Sequence, residues 1–342
     1  MDRVSQAVKE LVEEIQRMPE APDPAETDRH AFTLLLSGIA ACRRAPGIPC
    51  HMGYRTLYRC GDEPASEELK AHLFRLYGIY DRESLEKVCM EQFTSGREYE
   101  QFMTFWCDAP LFDLEELEEK GRRAFETRFK RASLFRPYVG ERGFYAWDIN
   151  ERIGLGRLAC ACGIIDRETF DELTDYQVRK AQVFYHTFKD YAVSCICGAV
   201  YDVPGGDEED MLSFLDLNRK LALHLLEEGG AWYRNAWYAP EKREWVSLLP
   251  HNGGCIVSKQ IEEGRAIGYM YRDSRPSEQW ADTGWRFFTG DESDEYSRNP
   301  DNFTIWSLND ICNLDATILG YAEAKEGSAF GRNAKGEWQR ER

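Results

Sequence analysis

The chain has 342 residues, of which 43% are hydrophobic and 30% are charged, and its formal net charge is -17. Two domains are expected because this length exceeds the size at which one hydrophobic core usually keeps growing, and the composition excludes a disordered chain. The negative charge argues against DNA or RNA as a partner because it repels phosphates. It either steers a basic protein into contact or serves solubility alone.

The N-terminal residues give no indication of export. They form an amphipathic pattern with Glu10, Glu13 and Glu14 and lack the basic start and apolar middle of a secretory signal. Apolar stretches such as residues 31–41 are shorter than the roughly 20 residues that a bilayer crossing needs. We therefore expect a cytoplasmic protein with no membrane partner, in which most of the 11 cysteines are reduced and buried.

The first predicted element is an amphipathic helix. Its apolar residues recur at spacings of four and three, as one face of a helix requires. These residues are Val4, Val8, Leu11, Ile15 and Met18. The helix ends at Pro19, and residues 19–24 contain three prolines and two acids. Residues 1–30 are therefore interpreted as a helix and a linker that precede the apolar run at residues 32–39.

Residues 31–238 are predicted to form a helical domain. One helix has Pro64 near its first turn and ends at Gly78, and three leucines lie on one of its sides. The leucines are Leu69, Leu73 and Leu76.

Two aspartates in this domain are predicted helix starts. Asp113 with Glu116 three residues on has the spacing of a capping box, and it opens a helix that Pro137 closes. Asp207 opens a helix that Gly229 ends.

One stretch of eight residues occurs twice in similar form. Residues 78–85 read Gly-Ile-Tyr-Asp-Arg-Glu-Ser-Leu, and residues 163–170 read Gly-Ile-Ile-Asp-Arg-Glu-Thr-Phe. Glycine can adopt the left-handed conformation after a helix, and Asp81 and Asp166 can cap the next one. The repeat predicts the same helix-turn-helix corner at two places rather than a repeated active site.

Several motifs in this helical region occur together in a known family. They are residues 78–85, residues 96–102, Ala146-Trp147-Asp148, Arg152 and Gly163. Because of these motifs, roughly residues 31–203 resemble the bacterial family called domain of unknown function 1266. Phe188 stands where that family has a tryptophan. The resemblance implies a helical fold and no known activity.

Asp148 and Arg152 place a carboxylate and a guanidinium one helical turn apart. Opposite charges at this spacing are close enough to pair. We predict a structural ion pair between them.

The composition changes after residue 240. Short runs rich in β-branched and aromatic residues follow, separated by turn-forming residues, and they predict strands. The candidate strands are residues 255–259, 267–272, 285–289, 303–306 and 328–331, while residues 308–319 fit either a helix or a loop. Residues 252–342 are thus predicted to be a small β-rich α+β domain with an antiparallel or mixed sheet, and the whole chain an α+β protein.

Ordered motifs in this second region are specific. They comprise residues 253–259, 268–272, 284–292, 299–302 and 327–330. Over residues 252 to about 333 they resemble the family called domain of unknown function 2185, also described as the immunity-protein-33-like domain. The resemblance implies a bacterial immunity protein of a polymorphic toxin system, which protects the producing cell by binding a cognate toxin domain.

Alternation along the third strand divides its side chains between two faces. Trp285 and Phe287 share one face, and Arg286 and Phe288 share the other, because successive side chains of a strand point oppositely. One pair fills the core, which leaves an arginine beside an aromatic ring on the opposite face.

An acidic run with a tyrosine follows that strand. Aromatic residues, arginines and clustered carboxylates are the composition of an interaction surface. The candidate partner-binding residues are Arg272, Arg286, Phe288, Asp291, Glu292, Asp294, Glu295 and Tyr296. The alternative interpretation is a solvated acidic turn.

Signals for metals, cofactors and catalysis are weak. Cys160 with Cys162, and Cys195 with Cys197, would supply four thiolates, but residues two apart on a helix point away from each other. The acidic run at residues 291–295 lacks the spacing of a calcium loop. We therefore expect no metal, no cofactor and no catalytic residues.

Three functions remain in competition. The first is toxin neutralisation by steric and electrostatic blockade through the C-terminal module. The second is an enzyme of unrecognised type with a site in a cleft between the domains. The third is a nonenzymatic adaptor.

Overall fold

The protein is described by a computed structural model that covers residues 2–43, 53–54, 56–107, 110, 112–203, 207–240, 244–250, 252–273 and 281–341. The chain forms two compact units. The helical unit comprises Met1–Tyr99 and Arg128–Glu244, and the sheet unit comprises Glu100–Thr127 and Trp245–Arg342.

Twelve helices precede residue 240 among the described residues. They are α1 (Asp2–Arg17), α2 (Arg29–Leu36), α3 (Gly38–Cys42), α4 (Glu63–Tyr77), α5 (Arg82–Glu91), α6 (Ser95–Trp106), α7 (Glu119–Val139), α8 (Tyr145–Ala161), α9 (Arg167–Phe184), α10 (Phe188–Tyr201), α11 (Glu208–Leu226) and α12 (Ala231–Arg234). The predicted helical N-terminal part is confirmed. None of these helices, nor any later one in the described part of the chain, has the length and apolarity needed to cross a membrane.

Helix α1 has the predicted apolar face. Val4, Val8, Leu11 and Ile15 are buried, and the helix lies against α11 and α10. The apolar run at residues 32–39 is divided between α2 and α3, and it is interrupted at Ser37.

Helices α8 and α10 form the centre of the helical unit. Almost every residue of both helices is buried, so neither shows the one-sided pattern of a surface helix. They cross closely because Gly198 has no side chain: a Cβ there would lie 2.5 Å from the Cβ of Trp147. A larger residue at Gly198 would push the two helices apart.

Some predicted helix features are wrong. Asp113 accepts a hydrogen bond from the backbone of Glu115 and caps a short 3-10 turn (Leu114–Glu116), so α7 begins only at Glu119. Pro137 lies inside α7, two residues before the helix ends at Val139. Leu76 is 57% exposed, although Leu69 and Leu73 are buried as predicted.

The two repeated corners are confirmed. Gly78 and Gly163 have left-handed φ angles of 72° and 76°. Asp81 accepts a hydrogen bond from the backbone N–H of Ser84 at 2.9 Å, and Asp166 caps α9 in the same way. An ion pair of 3.3 Å between Arg82 and Glu172 links α5, which follows the first corner, to α9, which follows the second.

The sheet unit contains a six-stranded sheet. Its strands are β1 (Gly254–Ser258), β2 (Tyr269–Arg272), β3 (Asp282–Phe288), β4 (Phe303–Ser307), β5 (Ala329–Arg332) and β6 (Trp338–Arg340). The order is β4-β1-β3-β2-β5-β6. Strands β1 and β3 are parallel and the other pairs are antiparallel, so the predicted mixed sheet is confirmed.

Short helices connect these strands. They are α13 (Lys259–Glu262), α14 (Asp294–Arg298) and α15 (Leu308–Leu314), and a 3-10 turn at Ala316–Tyr321 follows α15. Residues 308–319 are therefore mostly helical. Strand β6 was not predicted.

One face of the sheet, the core face, is buried. Its central residues are fully buried: Cys255, Val257, Met270, Trp285, Phe287 and Phe330. Trp285 donates a hydrogen bond to the carbonyl of Ala322 at 2.9 Å, and Tyr321 packs edge-on against Phe330. The predicted pairing of Trp285 with Phe287 on the core face is confirmed.

Candidate partner-binding surface

The opposite face of the sheet, the open face, carries Arg286 and Phe288. The antiparallel register sets Tyr269 opposite Phe288 and Tyr271 opposite Arg286. Directly opposed residues point to the same side of a sheet. Two tyrosines of β2 therefore lie beside Arg286 and Phe288.

Five aromatic side chains form a continuous ring patch, which comprises Tyr269, Tyr271, Phe288, Tyr296 and Phe303. The rings of Tyr271 and Phe288 are stacked with their centroids 5.9 Å apart, and Phe288 meets Phe303 edge-on at 5.5 Å. Tyr296 from α14 meets Phe303 at 5.9 Å. All five rings remain partly exposed. Such contacts stabilise the patch in one arrangement and leave apolar area accessible to another molecule.

Ile305 extends the apolar area beyond the rings. It lies on β4 opposite Ile256 of β1, and its side chain is 61% exposed. Strand β4 is at one edge of the sheet. An exposed isoleucine on an edge strand is a ready contact for another protein.

Arg286 lies on this face but is not free to meet a partner. Its guanidinium forms two hydrogen bonds of 2.8 Å with the carboxylate of Asp282, and the residue is only 7% exposed. The hydrogen bonds that Arg286 donates to Asp282 raise the pKa of Arg286. The pair is a buried support beneath the rings, where loss of either charge would leave the other without its main partner.

Arg272 does not join the ring patch. Its Nε donates to the carbonyl of Thr283 at 3.1 Å, and its Nη1 donates to the carbonyl of Ala324 at 2.6 Å. It pairs with Trp285 in the register of β2 and β3, which assigns it to the core side of the sheet. The structure thus gives Arg272 a role in joining segments of the unit.

The first two acids after β3 build the turn itself. Asp291 forms an ion pair of 2.5 Å with Arg265, and the hydrogen bond from Arg265 lowers the pKa of Asp291. Glu292 accepts hydrogen bonds from the backbone N–H groups of Thr289 at 2.8 Å and Gly290 at 2.9 Å. Both carboxylates therefore have partners within the unit.

The next two acids are different. Asp294 and Glu295 lie in the first turn of α14, whose N-cap is Ser293, and both are exposed. Neither forms an ion pair with another described residue. They directly precede Tyr296, so the ring patch has negative charge without an ion pair at its border.

The structure thus brings four of the eight predicted residues to one surface: Phe288, Asp294, Glu295 and Tyr296. The sequence prediction missed Tyr269, Tyr271, Phe303 and Ile305. A signal for the tyrosines was present, since they alternate with the buried Met270. Their alternation with an apolar residue indicates the face opposite the core.

Asp148 and Arg152 have separate hydrogen-bond partners. Asp148 accepts from the backbone N–H groups of Ser95 at 3.1 Å and Gly96 at 3.0 Å, and so it caps α6. Arg152 donates to the carbonyl of Cys89 at 2.9 Å. Burial raises the pKa of Asp148 to about 6, and the charge of Arg152 opposes that rise. Arg152 therefore acts on Asp148 as a nearby positive charge.

The described residues contain no group of three or more histidine, cysteine, aspartate or glutamate side chains that could hold a metal ion. Cys160, Cys162, Cys195 and Cys197 are all buried and free. Burial raises the pKa of Cys195 and Cys197 well above the ordinary thiol value. These thiols remain protonated near neutral pH.

Two family models match the chain. Residues 255–342 match the model described as "Immunity protein Imm33 domain", and residues 72–237 match the model described as "Protein of unknown function (DUF1266)". Both resemblances identified from the sequence are confirmed, with the helical match beginning and ending later than the motifs indicated. No curated protein and no solved structure matches the chain.

Proposed function

We propose that this chain, whose residues 255–342 match an immunity-protein domain, neutralises a toxin in the bacterial cytoplasm by binding it. The observation that carries the proposal is the family match together with an accessible ring patch on the matched region. The mechanism is blockade by contact, with no chemical step performed by this chain.

The composition of the open face supports a protein partner. Aromatic residues are enriched where interfaces concentrate their binding energy, and they anchor best when surrounded by groups that exclude water. The ring patch supplies five partly exposed rings, and Ile305 supplies an exposed apolar neighbour.

The charge of the chain specifies the partner further. The formal net charge is -17, and Asp294 and Glu295 at the border of the ring patch are without ion pairs among the described residues. Complementary potentials accelerate association and disfavour wrong partners. The toxin domain we propose is therefore a basic protein whose positive surface surrounds an apolar contact.

Arg286 and Asp282 support this surface without touching the partner. Their buried pair lies along β3 on the face that carries the rings, and the contacts between the rings keep one arrangement before the toxin arrives. A preformed surface binds more tightly because less side-chain freedom is lost on binding.

The test first identifies a toxin domain encoded by a neighbouring gene and then uses it together with the full chain. Coexpression is expected to rescue growth, and the purified proteins are expected to form a complex. Ile305→Lys, which puts a positive charge on the apolar contact, is expected to weaken binding at least tenfold. Leu76→Lys is the matched control because it changes a similarly exposed apolar residue in the helical unit.

Two results would overturn the proposal. Failure of the unmodified chain to rescue growth and to bind the toxin would remove the immunity function. Equal binding by the Ile305→Lys variant and by the control would leave the function intact and show that the open face is not the contact.

A further inference from the structure

A cavity of about 380 Å³ is lined entirely by residues of the helical unit. Its lining residues are His30, Thr56, Leu57, Arg59, Cys160 and Arg167. They come from α2, from the segment before α4, from the end of α8 and from the start of α9. Cavities of this size are typical of sites for small molecules.

The lining has more positive than negative charge. Arg59 forms no hydrogen bond or ion pair with any other described residue. Arg167 has only a long ion pair, with its Nε 3.7 Å from Asp171, and Nδ1 of His30 lies 3.6 Å from the same carboxyl group. The carboxylate of Asp171 therefore faces one guanidinium group and an imidazole, and Arg59 remains without an ion pair in the described part of the chain.

His30 adds an unsatisfied atom. Its Nδ1 is buried and has no hydrogen-bond partner within the described structure. A buried polar atom without a partner costs free energy that a bound ligand can recover.

Two helices begin at this cavity. His30 is the second residue of α2, and Arg167 is the first residue of α9. Helix N-termini carry partial positive charge and favour anions. Asp28 and Asp166 cap these helices through one backbone N–H each, which leaves the other N–H groups of the first turns outside the caps.

Cys160 contributes an uncharged thiol to the lining of the cavity. Burial raises the pKa of its thiol, the positive charges of Arg59 and Arg167 oppose that rise, and the negative charges of Asp166 and Asp171 add to it. A protonated thiol next to Leu57 suits the uncharged part of a ligand, while Thr56 offers a hydroxyl group.

We propose that this cavity binds a small molecule that carries a phosphate group. A phosphate group can accept hydrogen bonds from several separate donors through its oxygens. Two arginines and an imidazole therefore suit a phosphate ligand better than a ligand with a single carboxylate group. This site is independent of the ring patch and of toxin binding.

The test is calorimetric titration of the full chain with inorganic phosphate, pyrophosphate and phenyl phosphate. Acetate serves as the carboxylate comparison. We expect at least one phosphate probe to bind more tightly than acetate, and we expect Arg59→Gln to weaken that binding at least tenfold. Arg75→Gln is the matched control, because Arg75 is an exposed arginine of α4 outside the cavity.

Three results would overturn the proposal. The first is no binding of any phosphate probe up to about 10 mM. The second is acetate binding as tight as phosphate binding, which would reject the ligand class. The third is unchanged binding by Arg59→Gln, whose folding is checked by thermal melting.

Discussion

The two units differ in what lies at their centres. In the helical unit, Asp148, Glu151 and Arg157 are buried, and each is held by hydrogen bonds to neighbouring groups. In the sheet unit, the centre of the core face is apolar, and Arg286 lies on the other face. Buried charge in the helical unit therefore serves the fold, whereas the sheet unit leaves rings and acids available to another molecule.

The largest expected effect comes from removing one aromatic ring from each face of β3, which tests whether one face is buried and the other accessible. Phe287 is fully buried, so Phe287→Ala is expected to lower the free energy of unfolding by about 3–5 kcal/mol. Phe288 is partly exposed, so Phe288→Ala is expected to cost roughly 1–2 kcal/mol. Urea unfolding of the two variants measures both values. Equal losses would contradict the assignment of a sealed and an open face.

A second prediction concerns buried charge in the helical unit. The pKa of Asp148 is raised by burial to about 6, so its contribution to stability is complete below its unfolded-state pKa and is lost as the pH rises through about 6. Between about pH 4 and pH 7 the unfolding free energy should fall by ~2–3 kcal/mol relative to Asp148→Asn, which cannot ionise. Urea unfolding across this range tests the prediction.

Asp81 supplies the control for that experiment. It also accepts a backbone hydrogen bond at a helix start, but it is exposed, and the hydrogen bond from Ser84 lowers its pKa. Its contribution is present above its unfolded-state pKa and is lost as the pH falls, so Asp81→Asn should show the opposite trend. The same trend in both variants would reject burial as the cause.

The smallest expected effect is on association rate. Replacing the two acids at the border of the ring patch, as Asp294→Asn with Glu295→Gln, should slow toxin association roughly threefold at low salt because the steering charge is reduced. The difference should vanish at high salt, where charges are screened. Stopped-flow association measures it. A change in dissociation rate alone would indicate direct contact by these acids instead of steering.

Local patterns were sufficient to predict much of the fold. The alternation in β3 assigned Trp285 and Phe287 to one face because strand pleating depends only on neighbouring residues. Both repeated corners were predicted from the left-handed conformation of glycine and from helix capping by aspartate. These properties also depend only on neighbouring residues. Strand β6 escaped prediction because it has three residues, of which only Trp338 is buried, and its pairing depends on β5.

The site was less predictable because its geometry depends on long-range contacts. The tyrosines of β2 join Phe288 only through the register of two strands that are ten or more residues apart. Arg272 reaches the carbonyl of Ala324, 52 residues along the chain. Asp148 caps a helix that starts 53 residues before it, whereas helical spacing indicated a partner one turn away.

The sheet unit is built from two separated stretches, and this has a consequence for synthesis and for truncation. Met103 lies where a side chain on Gly320 would collide with it, and Sγ of Cys107 is 2.8 Å from the hydroxyl of Tyr321. Residues 100–127 leave the ribosome more than a hundred residues before these contacts can form. A fragment cut to residues 252–342 would lack them and would expose the surface that they cover.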